Sequence, residues 1–142
     1  MLVRCLYASR ATQPLADGML DAILKQSRKN NLAHGITGML CYANDIFVQA
    51  IEGGRADVSA LMGTIMKDAR HTGIQLLSFE EIAERRFGHW TMGQVKVSNI
   101  NPVLLLKYSE KAELNPFACT GAATLALLME IAASGGIANR TI

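Results

Sequence analysis

Strand-period segments at 2–8, 36–43, 46–52, 73–83 and 91–98, interrupted by helix-period stretches at 16–31 and 55–68, predict an α+β fold. The order βαββαββ is that of a ferredoxin-like split βαβ sheet with one added strand, two helices on one face and two more helices in the C-terminal tail. In the first helix, Met19, Ile23, Ser27 and Asn30 share a face, with Leu20 and Leu24 beside it. Strands 36–43 and 46–52 are joined by Asn44-Asp45, which tolerates the positive φ of a tight hairpin. Gly53-Gly54 is expected to break the strand, and the second helix carries Val58, Leu61, Met62 and Ile65 inward, with Asp68 extending that stripe. Asn101-Pro102 and Asn115-Pro116 each pair a good N-cap with a residue suited to the first helical position, so a helix is expected from each. The second, apolar nearly all round through Leu125, Leu127, Leu128, Met129 and Ile131, runs to about Ser134 before Gly135-Gly136 and implies burial against the sheet, a second subunit or both.

Bulk properties narrow the function. The chain has 142 residues, 50% of them hydrophobic and 18% charged, which suits one globular core. A net charge of +2 without a basic run argues against a nucleic-acid partner. The apolar stretch near 122–133 is shorter than the about 20 residues of a membrane span, and the N-terminus reads as a strand instead of a signal peptide. Cys5, Cys41 and Cys119 have neither metal-ligand nor paired spacing, which fits reduced thiols in a cytoplasm. His34 and His89 likewise show no metal spacing.

Polar residues inside apolar strands carry the functional signal. Gln49 interrupts Ile46-Phe47-Val48-Gln49-Ala50-Ile51, and leaving a buried amide unpaired costs roughly 1–3 kcal/mol. Strand parity places it with Phe47 and Ile51 on one face. Tyr7 occupies a similar apolar strand and can neighbour it. Ser27, Asn30 and Asn31 end the first helix, while Asp68, Arg70 and His71 end the second. A planar heterocycle between the helices, its polar edge towards the sheet, would satisfy these groups, and a flavin ring matches. Each also has an ordinary reading. Ser27 can bond its own helix backbone, the asparagines can terminate a helix, and Arg70 and His71 can be solvated helix-end cations. Arg85-Arg86 reads as an exposed face.

Six segments together make the sequence familiar: Tyr7-Ala8-Ser9-Arg10, Ser27-Arg28-Lys29-Asn30-Asn31, Gly35-Ile36-Thr37-Gly38, Phe47 through Gly53, Asp68-Ala69-Arg70-His71, and Arg86 through Gly93. In this order, over about residues 2–98, they resemble the BLUF family of blue-light sensors that bind FAD. The resemblance implies a non-covalent flavin between the helices, with no catalytic turnover. By position, Tyr7 would donate an electron and proton, and Gln49 would bridge Tyr7 and the ring and rearrange its amide. Asn31 would hydrogen-bond the ring, with Ser27 near Gln49, Asn30 at the far edge and Ile23 packed on the ring. Asp68, Arg70 and His71 would support the polar edge or ribityl chain, and Trp90 and Met92 would be a switch pair on the fifth strand, which of them lies inward being left open.

The sequence departs from the family at Ala69, where proline is usual, and at Thr64, where many relatives carry a basic residue. The second departure leaves FMN or riboflavin as alternatives to FAD. The expected organisation is a sensory unit over 1–98 and a helical extension over 99–142. It would signal to a separate, unidentified protein partner and assemble as a homodimer or higher oligomer through the sheet face and tail. An acyl-phosphate hydrolase would need a better anion loop than Gly53-Gly54-Arg55. An RNA-binding sheet would need more exposed aromatics and basic charge, and flavin-dependent redox catalysis a substrate cavity and nicotinamide site.

Overall fold

The computed structural model describes residues 1–14 and 17–134, with the side chains of 17–19, Met19 among them, and Gly135-Gly136 lying outside the described residues. Strand β1 (Leu2–Ala11) is followed by helix α1 (Asp17–Ala33), β2 (Thr37–Ala43), β3 (Ile46–Gly54), α2 (Arg55–Lys67), β4 (His71–Ile82) and β5 (Gly93–Lys96). One turn of 3-10 helix (Val97–Asn99), α3 (Pro102–Tyr108) and α4 (Gly121–Ala133) complete the described chain. The sheet order is β4-β1-β3-β2-β5, with β1 antiparallel to both neighbours and β5 parallel to β2. This is the ferredoxin-like arrangement with its fifth strand at the β2 edge.

Local chemistry explains most boundaries. Beyond α1, Gly35 takes a φ of 65°, open to glycine at little cost, and Ile36 N–H returns to the Asn31 carbonyl at 2.9 Å. Asn44, with φ 53°, makes the tight β2–β3 hairpin as its sequence suggests. Gly53 and Gly54 do not end β3 early. They are its last two residues, and α2 starts at the next one with Gly54 as N-cap.

Alternation divides the sheet into two faces. Val3, Cys5, Tyr7, Ile51, Val58 and Met62 form a core under α2, while Leu20, Leu24, Leu40 and Met92 form one under α1. On the opposite face, Leu6, Ala8, Met39, Cys41, Val48 and Ala50 meet Leu105, Leu114, Leu127, Leu128 and Ile131 of the tail. The apolar tail helix thus spends its stripe on the sheet. Its start differs from expectation: Asn115-Pro116 begins a turn, with Ala118 N–H on the Asn115 carbonyl at 3.2 Å, and Pro116 is buried. Thr120 caps α4 instead, its hydroxyl accepting from Ala123 N–H at 3.0 Å. That end of α4 sits so close to β4 that a Cβ on Gly121 would lie 2.6 Å from the Leu77 carbonyl oxygen.

Candidate functional site

The β1–β3 register sets Tyr7 directly opposite Gln49. Neighbouring side chains on one face of an antiparallel pair are within reach of each other, and here the Tyr7 hydroxyl donates to Gln49 Oε1. Tyr7 is 4% exposed. Burial, reinforced by Cys5 and Asp68, pushes its phenol well above the usual tyrosine range, so it keeps its proton. Gln49 Nε2 donates to Met92 Sδ at 3.2 Å, a weak acceptor.

These two residues floor a cleft between α1 and α2 that encloses about 770 Å3 of empty space, part of it open to solvent. Leu20, Ile23, Leu24, Leu40, Phe47, Leu61 and Ile65 form its apolar walls. Ser27, Asn31, Asp68, Arg70 and His71 add polar groups around them. Apolar walls with a few converging polar groups are the usual lining of a small-molecule site. They suit a flat aromatic ring with one polar edge, so the residues present fit a flavin.

The polar groups differ in how far the protein occupies them. Ser27 Oγ donates back to the Ile23 carbonyl at 3.1 Å, its local alternative. Asn31 is buried, and its amide donates to the Thr91 carbonyl at 2.9 Å, leaving its oxygen for another partner. His71 Nε2 lies 2.7 Å from the Ile65 carbonyl, which can only accept. Nε2 therefore carries a proton, and Nδ1 lies 2.8 Å from Ser9 Oγ. Arg70 clasps Asp68 through its backbone N–H and guanidinium. Those bonds, the guanidinium's first, hold the Asp68 carboxyl down at about 2.

Three expected residues do not line the cleft. Asn30 is exposed on α1. Trp90 and Met92 precede β5, which begins at Gly93, and do not share one space. Met92 packs behind Gln49 in the core under α1, whereas Trp90 packs in the tail-side core. The bend at Thr91 and Met92 breaks the strand alternation that would have put both on one face.

Sequence reasoning missed four charged residues, Arg4 among them. Glu52, fully buried at the end of β3, accepts from Arg4 Nε at 2.8 Å, Arg86 N–H at 3.0 Å and Phe87 N–H at 2.7 Å. Arg85 is half-buried, not an exposed face; it donates to Thr37 Oγ1 at 2.9 Å and the Gly35 carbonyl at 2.7 Å. Arg28 reaches from α1 to the Met92 carbonyl at 2.9 Å. Among the described residues no helix is long and apolar enough to cross a membrane, and no cluster could hold a metal ion.

Comparison with known proteins gives the same fold. The profile of the family described as BLUF, sensors of blue-light using FAD, matches residues 2–93. Photoactivated adenylate cyclase subunit beta of Euglena longa is 36% identical over 87 residues, 61% of this chain but 10% of that protein. This chain therefore spans about a tenth of the curated relatives it matches. The structure of BlrB, a BLUF protein in its dark state, is 37% identical with a TM-score of 0.74, covering 94% of this chain and 96% of that one. The photo-activated state of BlsA is 32% identical with a TM-score of 0.82, covering 100% and 99%. Klebsiella pneumoniae BlrP1 with FMN and cyclic diGMP is 27% identical with a TM-score of 0.69, covering 96% of this chain and 36% of that one.

Proposed function

The chain belongs to the BLUF family of flavin-based blue-light sensors, and on that premise we propose that the cleft holds FAD and that Tyr7 and Gln49 are its photoactive residues. The observation that carries this reading is the Tyr7–Gln49 hydrogen bond at the floor of a cleft whose walls are otherwise apolar. Bound there, the flavin would supply blue-light absorption and an electron-accepting excited ring.

The chain's own residues would do the rest. Tyr7 is an oxidisable phenol that holds its proton against Gln49 Oε1. Loss of an electron to the excited ring makes a phenol strongly acidic, so the proton would follow along that bond, and electron and proton would both return to Tyr7 on recombination. Gln49 would then return with donor and acceptor exchanged, by rotation or tautomerisation, and offer the ring a stronger hydrogen bond. Asn31 would bond the ring and Ile23 pack on it. Asp68, with Arg70 fixing its charge, would support the polar end, and His71 would steady that corner through Ser9 and Ile65. FAD is preferred over FMN because a shallow groove of Thr64, Lys67, Asp68 and Arg70 continues the cleft, with Lys67 placed to meet a diphosphate while Arg70 offsets the Asp68 charge. The BlrP1 structure with FMN supports FMN as a second reading.

The remaining features complete the reading. The unit is a cytoplasmic sensor, itself without catalytic activity, over 1–98, with 99–142 as its cap, acting on a separate protein. A homo-oligomer would form through α3, where Val103 is 68% and Leu106 52% exposed. Purified protein should be yellow and shift its bands reversibly to longer wavelength under blue light, with chromatography identifying the flavin. Tyr7→Phe should keep the flavin and lose the shift; a normal photocycle in that variant would refute the role given to Tyr7. Val103→Asp should lower the mass seen by light scattering, and an unchanged mass would remove α3 as the interface.

A further inference from the structure

Three hydrogen bonds fix the irregular chain between the β4–β5 loop and β5. Gly38 N–H holds the Trp90 carbonyl at 3.0 Å, Asn31 Nδ2 the Thr91 carbonyl at 2.9 Å, and Arg28 Nε the Met92 carbonyl at 2.9 Å. The last of these bears on the amide at the cleft floor. Met92 is fully buried, and its sulfur is the acceptor for Gln49 Nε2. A thioether can weakly accept a hydrogen bond but has no proton to donate. Held in place, Met92 therefore favours the amide with nitrogen towards sulfur and opposes the reverse. Arg28 stands one residue away from that preference.

Arg28 is also incompletely paired. Its Nη2 is buried and has no partner among the described residues, an arrangement native proteins rarely leave without a reason. Gln94 Oε1, two residues beyond Met92, is a second such atom. The two belong to one cluster: Gln94 Nε2 donates to Asp21 Oδ1 at 3.2 Å, and the Asp21 charge also acts on Arg28. Burial lowers the affinity of Arg28 for its proton and Asp21 opposes this, so the guanidinium stays charged with an N–H to spare. Arg28 thus leaves an unpaired donor on α1 and Gln94 an unpaired acceptor on β5, each linked to the Asp21 carboxylate, Gln94 by a hydrogen bond and Arg28 by charge.

We propose that Arg28 is a positioning residue of the light switch: it holds Met92 against the Gln49 amide, and Gln94 Oε1 is the acceptor its free N–H takes when Met92 moves. The proposal rests on the flavin-sensor reading above. Arg28 touches neither the cleft nor Gln49, and acts only through Met92. Asn31 holds the adjoining carbonyl and would keep the segment attached while Arg28 changes partner.

The test uses the full chain with bound flavin and three variants. Arg28→Ala should retain flavin and a red shift, while its dark recovery changes by at least about fivefold, the scale of losing a charged hydrogen bond. Arg28→Lys keeps a donor for the Met92 carbonyl without the guanidinium's second, separately placed N–H, and should shorten the lit state about as much as Gln94→Leu does. Gln94→Leu should leave the dark spectrum unchanged and shorten the lit state by about threefold. In flavin-stripped protein, the Met92 methyl NMR signal should move in Arg28→Ala but not in Asn30→Ala. Recovery within twofold of the parent in Arg28→Ala, or a lowered melting temperature with unchanged recovery, would overturn the proposal. If Arg28→Ala does not fold, a parent-like lit state in Gln94→Leu would overturn it. A parent protein without flavin or shift would instead sink the flavin-sensor reading, and the methyl signal would then decide whether Arg28 positions Met92.

Discussion

Two polar residues on β3, three positions apart, lie in opposite conditions. Glu52 is closed on itself: its carboxylate accepts from Arg4, Arg86 and Phe87, and the Arg85 guanidinium ties the same loop to Thr37 and Gly35. Gln49 is open, with a phenol on one side, a thioether on the other and the apolar-walled cleft above. Its neighbourhood also holds two of the buried polar atoms without partners, on Arg28 and Gln94. A saturated network has one arrangement worth keeping, whereas a half-satisfied one has alternatives of similar energy. The first suits a support that must not move and the second a switch that must.

The largest test of this contrast is Glu52→Ala. It leaves the Arg4 guanidinium, 5% exposed, with Glu80 as its remaining carboxylate and strips the Arg86 and Phe87 N–H groups of their acceptor, and should lower unfolding stability by about 3–5 kcal/mol in a urea titration. Gln49→Leu should cost only about 1–2 kcal/mol, the penalty of leaving the Tyr7 hydroxyl without its acceptor, yet abolish the light-induced shift. Comparable losses in the two variants would erase the distinction. The smallest effect concerns acid. Arg70 holds Asp68 at about 2 against an ordinary 3.8, so its contribution is complete above about pH 4 and fades as pH falls towards 2. The pair is on the surface and should be worth about 0–1 kcal/mol. Asp68→Asn should remove that acid-dependent part of flavin retention, and a parent-like acid profile would show that the pair does not support the site.

Much of this was legible in the sequence because strands repeat every two residues and a polar intruder stands out. That logic found Tyr7 and Gln49 and put Phe47, Gln49 and Ile51 on one face. It should have found Glu52 and Arg4 as well, since each interrupts an apolar strand in the same manner, but a charge near a strand end reads as solvated. Arg28 gave no such signal, because a basic residue on a helix is ordinarily a surface feature. Asn115-Pro116 has the chemistry of a helix start, and the competing Thr120 cap wins because α4 must approach β4 where Gly121 permits it. Pairing Trp90 with Met92 assumed a regular strand, and no residue type in that stretch announces the bend that separates them.

That bend has a mechanical consequence. Trp90 and Met92 are joined by a single residue yet are wedged into opposite layers of the molecule. A tug on the thioether in one layer reaches the indole in the other through covalent bonds, without crossing the sheet by packing. The two residues leading into β5 thus give the segment one side chain in each layer, and the C-terminal helices pack in the layer that holds the indole.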